Sequence, residues 1–110
     1  MPKKIVYLAH PIGGATDDNL KRIESIYRFV TRMFPDVIPF VPYYATVKSL
    51  NDKNPEERAI GLAHNIEMFE RKTFDEIWIC STRISAGMQM EIDKANEVGI
   101  PVVNIWEVTI

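Results

Sequence analysis

Short apolar runs alternate with longer amphipathic stretches along this chain. Residues Lys4 to Ala9 are almost continuously apolar, the pattern of a strand buried on both faces of a parallel sheet. His10 to Thr16 read as a loop containing Pro11, Gly13 and Gly14. Asp17 or Asp18 can cap a helix from Asn19 to Met33, with Leu20, Ile23, Tyr27 and Val30 on one face and Ile26 and Phe29 broadening it. Phe34-Pro35-Asp36 stops that helix, and Val37 to Val41 form a second strand. Pro39 cannot donate to a ladder, so this strand is predicted at the sheet edge. Pro42 to Asn54 read as a connection with one helical turn around Thr46 to Leu50. Asn54 as cap and Pro55 in the first turn open a helix that runs to Lys72, whose mixed pattern leaves its buried face undefined. Asp75 to Cys80 form the third strand, Ser81 to Ala86 a second loop, and about Ala86 to Val98 the last helix, stopped by Gly99 and Pro101. Val102 to Ile105 form the fourth strand.

Alternating strands and helices predict an α/β fold with a small parallel sheet and right-handed crossovers. The expected strand order is 2-1-3-4, flanked by helices. In such sheets ligands sit beyond the carboxyl ends of the strands where the order reverses, here between the first and third strands. The loops beginning at His10 and Ser81 border that crevice.

The length of 110 residues fits one domain spanning 1–110. Acidic and basic residues are mixed, and the formal net charge of −2 offers no general attraction for a nucleic-acid polymer or an anionic membrane. It leaves room for a small anion held by local donors. The apolar run after Met-Pro-Lys-Lys is too short for a signal-peptide core or a membrane span, so the chain is expected to be cytoplasmic. Cys80 is the single cysteine, at the end of a buried strand, and reads as an inert core residue. No Cys/His cluster has metal-ligand spacing, and neither metal nor organic cofactor is expected.

The candidate chemistry lies in the two crevice loops. Gly13 and Gly14 allow backbone N–H groups to converge on an anion, or simply make a tight turn. Ser85 can cap the last helix, whose positive end favours an anion. Glu91 either points along that helix toward the pocket or is a solvated acid complementing the dipole. His10 is a proton donor, a phosphate contact, or a hydrogen-bonded residue at the core edge. Tyr43, Tyr44 and Trp106 can stack a base, fill the core or form an interface.

Two segments together carry a resemblance. Val6-Tyr7-Leu8-Ala9-His10-Pro11 with Gly13-Gly14, and Asp75-Glu76-Ile77-Trp78 followed by Ser85-x-Gly87-x-x-x-Glu91, resemble the nucleoside 2-deoxyribosyltransferase superfamily, most closely its small bacterial and phage members. Glu57-Arg58 and the Arg83-to-Glu91 segment with Met88 extend the likeness over nearly the whole chain. The resemblance implies a flavodoxin-like sheet, N-glycosidic bond chemistry and homodimers or larger assemblies. It implies that Glu91 attacks the anomeric carbon or stabilises a cationic sugar, a task suited to a carboxylate because the transition state is oxocarbenium-like. Transferases of the superfamily tend to carry Asp where this chain has Ser85; its nucleoside-monophosphate hydrolases carry Ser, which contacts the 5′-phosphate.

The chain is therefore expected to act on a nucleotide, as a hydrolase or transferase. Gly13, Gly14 and Ser85 hold the phosphate, Pro11, Arg83, Gly87 and Met88 stand nearby, and Tyr7 or Tyr43 line the sugar and base. Those hydrolases have an arginine just before the paired glycines, where this chain has Ile12, which leaves Arg83 or Arg58 to supply the charge. That departure motivates a second reading, a module that binds or sequesters a nucleotide signal without turnover. A third is an interaction protein that kept only the fold.

Overall fold

A computed structural model describes residues 2–13, 16–50 and 54–105. Among the described residues eight elements follow one another: β1 (Lys4–Ala9), α1 (Thr16–Met33), β2 (Val37–Phe40), α2 (Pro42–Ser49), α3 (Pro55–Glu70), β3 (Glu76–Ile79), α4 (Ala86–Val98) and β4 (Val102–Asn104). The sheet is four-stranded, parallel throughout, in the order β2-β1-β3-β4. The parallel α/β sheet in the order 2-1-3-4 expected from the alternation is the one observed, and it agrees with the flavodoxin-like sheet that the resemblance implies.

The apolar run of β1 is continuous because both of its faces are covered. Tyr7 and Ala9 join Ile77 and Ile79 in one cluster with Phe69, Phe74, Met88, Ala95 and Ile100. Val6 and Leu8 join Trp78 and Cys80 in the other, against Val30 of α1. Register locks the central pair, with Tyr7 opposite Ile77 and Ala9 opposite Ile79. Each of those four side chains is at most 2 % exposed, and full burial of an isoleucine such as Ile77 or Ile79 contributes about 1.5–3 kcal/mol.

Local signals set most element ends. The Asn54 side chain accepts from the amides of Glu56 at 2.9 Å and Glu57 at 3.3 Å, with Pro55 preorganised behind it. Gly99 ends α4 with φ of 84°, a left-handed conformation that costs glycine nothing, and Ile100 N–H returns to the Ala95 carbonyl at 2.8 Å. Lys72 closes α3 the same way with φ of 53° but without glycine's freedom.

Three expectations need correction. Helix α1 begins at Thr16 rather than Asn19, so Asp17 and Asp18 sit inside its first turn, where they complement the dipole rather than cap it. Its buried positions are Asn19, Leu20, Ile23 and Val30, whereas Tyr27 and Phe29 are exposed: the sheet covers a narrower stripe than the apolar pattern suggested. The connection expected between Pro42 and Asn54 holds a full helix, α2, whose first residue is Pro42, a position where the missing N–H costs no helical bond. Pro39 lies in the edge strand, as anticipated.

Candidate active site

A cleft of about 360 Å³ opens where the carboxyl ends of β1 and β3 meet α2, α3 and α4. His10, Ile12 and Gly13 reach it from the β1–α1 loop, and Arg83 and Ser85 from the β3–α4 loop. Gly87, Met88 and Glu91 come from α4, and Tyr43 from α2. The crevice expected from topology is thus the site where these residues converge.

Glu91 points inward rather than into solvent. Its carboxylate accepts from the Tyr7 hydroxyl, and from Asn65 Nδ2 at 3.4 Å. Asn65 also lies 3.5 Å from the Tyr7 oxygen, so the three side chains form one cluster. Burial pushes the Glu91 carboxyl up to about 7, while the bonds from Tyr7 and Asn65 pull the other way. The Tyr7 hydroxyl is raised well above its usual value, first by burial and then by the Glu91 charge, so it stays a donor.

Tyr7 is 0 % exposed and does not line the cleft. The expectation that it borders sugar or base is corrected: the ring packs against Phe69 and Phe74, leaving only its hydroxyl to support Glu91 from behind. Tyr43 does line the cleft, pinned by its hydroxyl to the Leu8 carbonyl at 2.6 Å. Its own acidity is strongly suppressed, by burial first and the Glu91 charge second.

Helix α4 starts with a reciprocal cap. Ser85 Oγ accepts from Met88 N–H at 3.2 Å, and Met88 Sδ accepts from Ser85 N–H at 3.5 Å. Sulfur here fills the role glutamate plays in the usual capping box. With Met88 N–H and Ser85 N–H engaged in the cap, the first-turn amides of Ala86 and Gly87 have no acceptor within the helix. A Cβ at Gly87 or Gly13 would meet no atom within 4 Å, so both border open space.

His10 is 8 % exposed, and its Nδ1 lies 2.8 Å from the Pro11 carbonyl. A carbonyl only accepts, so Nδ1 carries the proton and Nε2 presents a lone pair when the ring is neutral. The ring's pKa is lowered by burial; the Pro11 bond opposes this, and the charges of Arg22 and Arg83 add to the lowering. Pro11 itself is buried and contributes its carbonyl, not a cleft surface. Gly14 and Trp106 lie outside the described residues. Tyr44 is turned away, donating to Glu24 Oε1 at 2.9 Å.

Several cleft residues carried no recognised signal. Asn65 belongs to a buried stripe, Gly61-Asn65-Phe69, whose four-residue spacing was hidden among the apolar residues around it. Thr46, Val47 and Leu50 enter through the helix that the sequence reading reduced to one turn. Asn19 ties the first loop down, donating to the Ile12 carbonyl at 2.9 Å, and holds Arg22 Nη1 at 3.3 Å. Arg58, proposed from the sequence as a source of positive charge, lines the cleft with Glu57 beside it.

Cys80 is buried and its thiol is pushed up to about 12 by burial, which fits an inert core residue. Among the described residues no group of three His, Cys, Asp or Glu is placed to hold a metal ion. Nor, among them, is any helix long and apolar enough to cross a membrane. No curated protein and no solved structure matches the chain. One family does: residues 4–105 match the family described as a domain of unknown function, DUF7768, and the chain belongs to it.

Proposed function

We propose that this protein cleaves, or transfers across, the N-glycosidic bond of a nucleoside monophosphate-like ligand, with Glu91 as the reacting carboxylate. The observation that carries this reading is the placement of Glu91: held by Tyr7 and Asn65, it lines the same cleft as Arg83, Ser85 and the first turn of α4. The volume of about 360 Å³ lies within the range of small-molecule sites. The resemblance to the deoxyribosyltransferase superfamily adds the reaction class.

In this mechanism the Glu91 carboxylate attacks the anomeric carbon as the glycosidic bond breaks. The bonding pair leaves with the base nitrogen, which takes a proton from water at the cleft mouth. Water or a second base then attacks the same carbon and frees the carboxylate. Tyr7 and Asn65 aim the carboxylate and temper its basicity. The phosphate sits against Ser85, the amides of Ala86 and Gly87, and Gly13.

The alternative is binding without turnover. Asn65 favours it, because an amide beside Glu91 supplies no proton to a departing base. Incubation with ribo- and deoxyribonucleoside monophosphates, followed by chromatography of free base, separates the two. Base release that disappears in Glu91→Ala is the expected result. A monophosphate that raises the melting temperature yet is recovered intact establishes sequestration. Self-association, also implied by the resemblance, is read by sedimentation equilibrium.

A further inference from the structure

Tyr7 and His10 come from one end of the central strand. Tyr7, within β1, bonds the Glu91 carboxylate, and His10 follows three residues later, just past the strand end. Three residues of extended chain span about 10 Å. The cleft opens at this carboxyl end, so the strand sets the imidazole further out than the tyrosine that supports Glu91. Both His10 and Glu91 line the cleft, and an offset of that size is enough for a sugar ring to lie between them.

The His10 ring has one open valence. It is 8 % exposed, and its Nδ1 proton is committed to the Pro11 carbonyl at 2.8 Å. Nε2 has no partner among the described residues, and none of their polar side-chain atoms is sealed without one. Nε2 is therefore accessible, and the cleft that His10 lines is where it opens. Burial, opposed by the Pro11 bond and aided by the charges of Arg22 and Arg83, keeps the ring uncharged at neutral pH. Its lone pair is free to take a proton.

The other described cleft residues are placed for different tasks. Glu91 is committed to the anomeric carbon, and Glu57 is already engaged by another group. Arg58 and Arg83 carry no acceptor, and the Tyr43 hydroxyl is spent on the Leu8 carbonyl.

We infer that His10 Nε2 is the base that activates water in the second half of the reaction. A water on Nε2 gives the ring a proton as its oxygen attacks the anomeric carbon. The bond between that carbon and Glu91 breaks, and its electron pair returns to the carboxylate. The imidazolium then releases its proton to solvent, replacing the one that the departing base took from water. The inference rests on the glycosidic reading above and deepens it, naming His10 as a second catalytic residue and water as the acceptor.

Rapid-quench mixing with the ribo- and deoxyribonucleoside monophosphates separates the two half-reactions, because base leaves in the first and sugar phosphate in the second. His10→Gln is expected to release one equivalent of base per site at the wild-type rate and then to turn over roughly a hundredfold more slowly. Mass spectrometry of the stalled variant should find the protein heavier by one sugar phosphate. Sodium azide, a nucleophile that needs no base, should restore turnover in the variant and yield a glycosyl azide. A burst slowed as much as turnover, an absent adduct or a failure of azide to rescue overturns the inference. The wild type gives a check that does not depend on how His10→Gln folds. Its turnover should slow by roughly twofold in heavy water while its burst does not, and equal rates in the two solvents overturn the inference as well. The two readings fail separately. Base release that depends on Glu91 but not on His10 removes only this inference, whereas a wild type that releases no base removes both.

Discussion

The Tyr7 hydroxyl, rising from the middle of the central strand, donates to the Glu91 carboxylate on α4. A fully buried tyrosine and a half-turned glutamate are thereby joined across the core, and the acid on the cleft wall is fixed from the side no ligand reaches. Removing the hydroxyl removes a bond that holds the Glu91 pKa down. In Tyr7→Phe the carboxyl is expected to titrate above its wild-type value of about 7. Carbon-13 NMR of labelled glutamate reads this directly. If base release is found, its rate at neutral pH should fall by roughly tenfold and recover as pH rises.

Glu91 also links stability to pH. An unfolded glutamate ionises near 4.5, whereas the folded one keeps its proton to about 7. Between those values the native state holds more protons than the unfolded state, so stability declines as pH rises through that window and levels off above it. The full effect of this one group is about 3 kcal/mol. Urea melts at pH 5 and pH 8 should show the decline in wild type and a reduced decline in Glu91→Gln.

Gly61 sets the distance between α2 and α3. A Cβ there would lie 2.8 Å from Thr46 Cγ2, closer than two carbons can approach. Gly61→Ala is expected to destabilise by about 1–3 kcal/mol through overpacking. Thr46→Ser removes the obstructing methyl, so the double variant should recover much of the loss in a thermal melt. Additive losses would show that the contact is not the cause.

Lys72 offers a substitution in the opposite direction. Its φ of 53° places an ordinary side chain in the left-handed region. Lys72→Gly relieves that conformation and is expected to raise stability by up to about 1 kcal/mol, less the entropy glycine adds to the unfolded chain. Denaturant melts measure the difference.

The sheet was legible because each strand is a short apolar run with its own punctuation: Pro11 after β1, Asp36 before β2, Gly99-Ile100-Pro101 before β4. The site was legible as two loops, since topology alone puts His10 and Ser85 beside one crevice. Helix α2 was not, because Pro39 and Pro42 bracket its start and prolines punctuate loops as readily as they open helices. Tyr7 was assigned to the right cluster with the wrong orientation, for a period-two pattern fixes the face of a strand but not how deep a side chain lies. Asn65 was missed because one polar residue in a buried stripe looks like noise until Glu91 is seen beside it.

The position of Pro39 has a consequence for how this protein behaves in a crowd. Lys4 N–H bonds to the Asp36 carbonyl at 2.8 Å, so alternation turns the peptide groups of Ile38 and Phe40 toward β1 and those of Pro39 outward. The missing N–H therefore falls on the open rim of the sheet. A stray strand approaching that rim finds a gap in the donor row and a ring in its path, along an edge only four residues long. The chain resists being used as a template for fibrous growth at this edge of the sheet, where an open row of backbone groups is otherwise a ready site for a foreign strand.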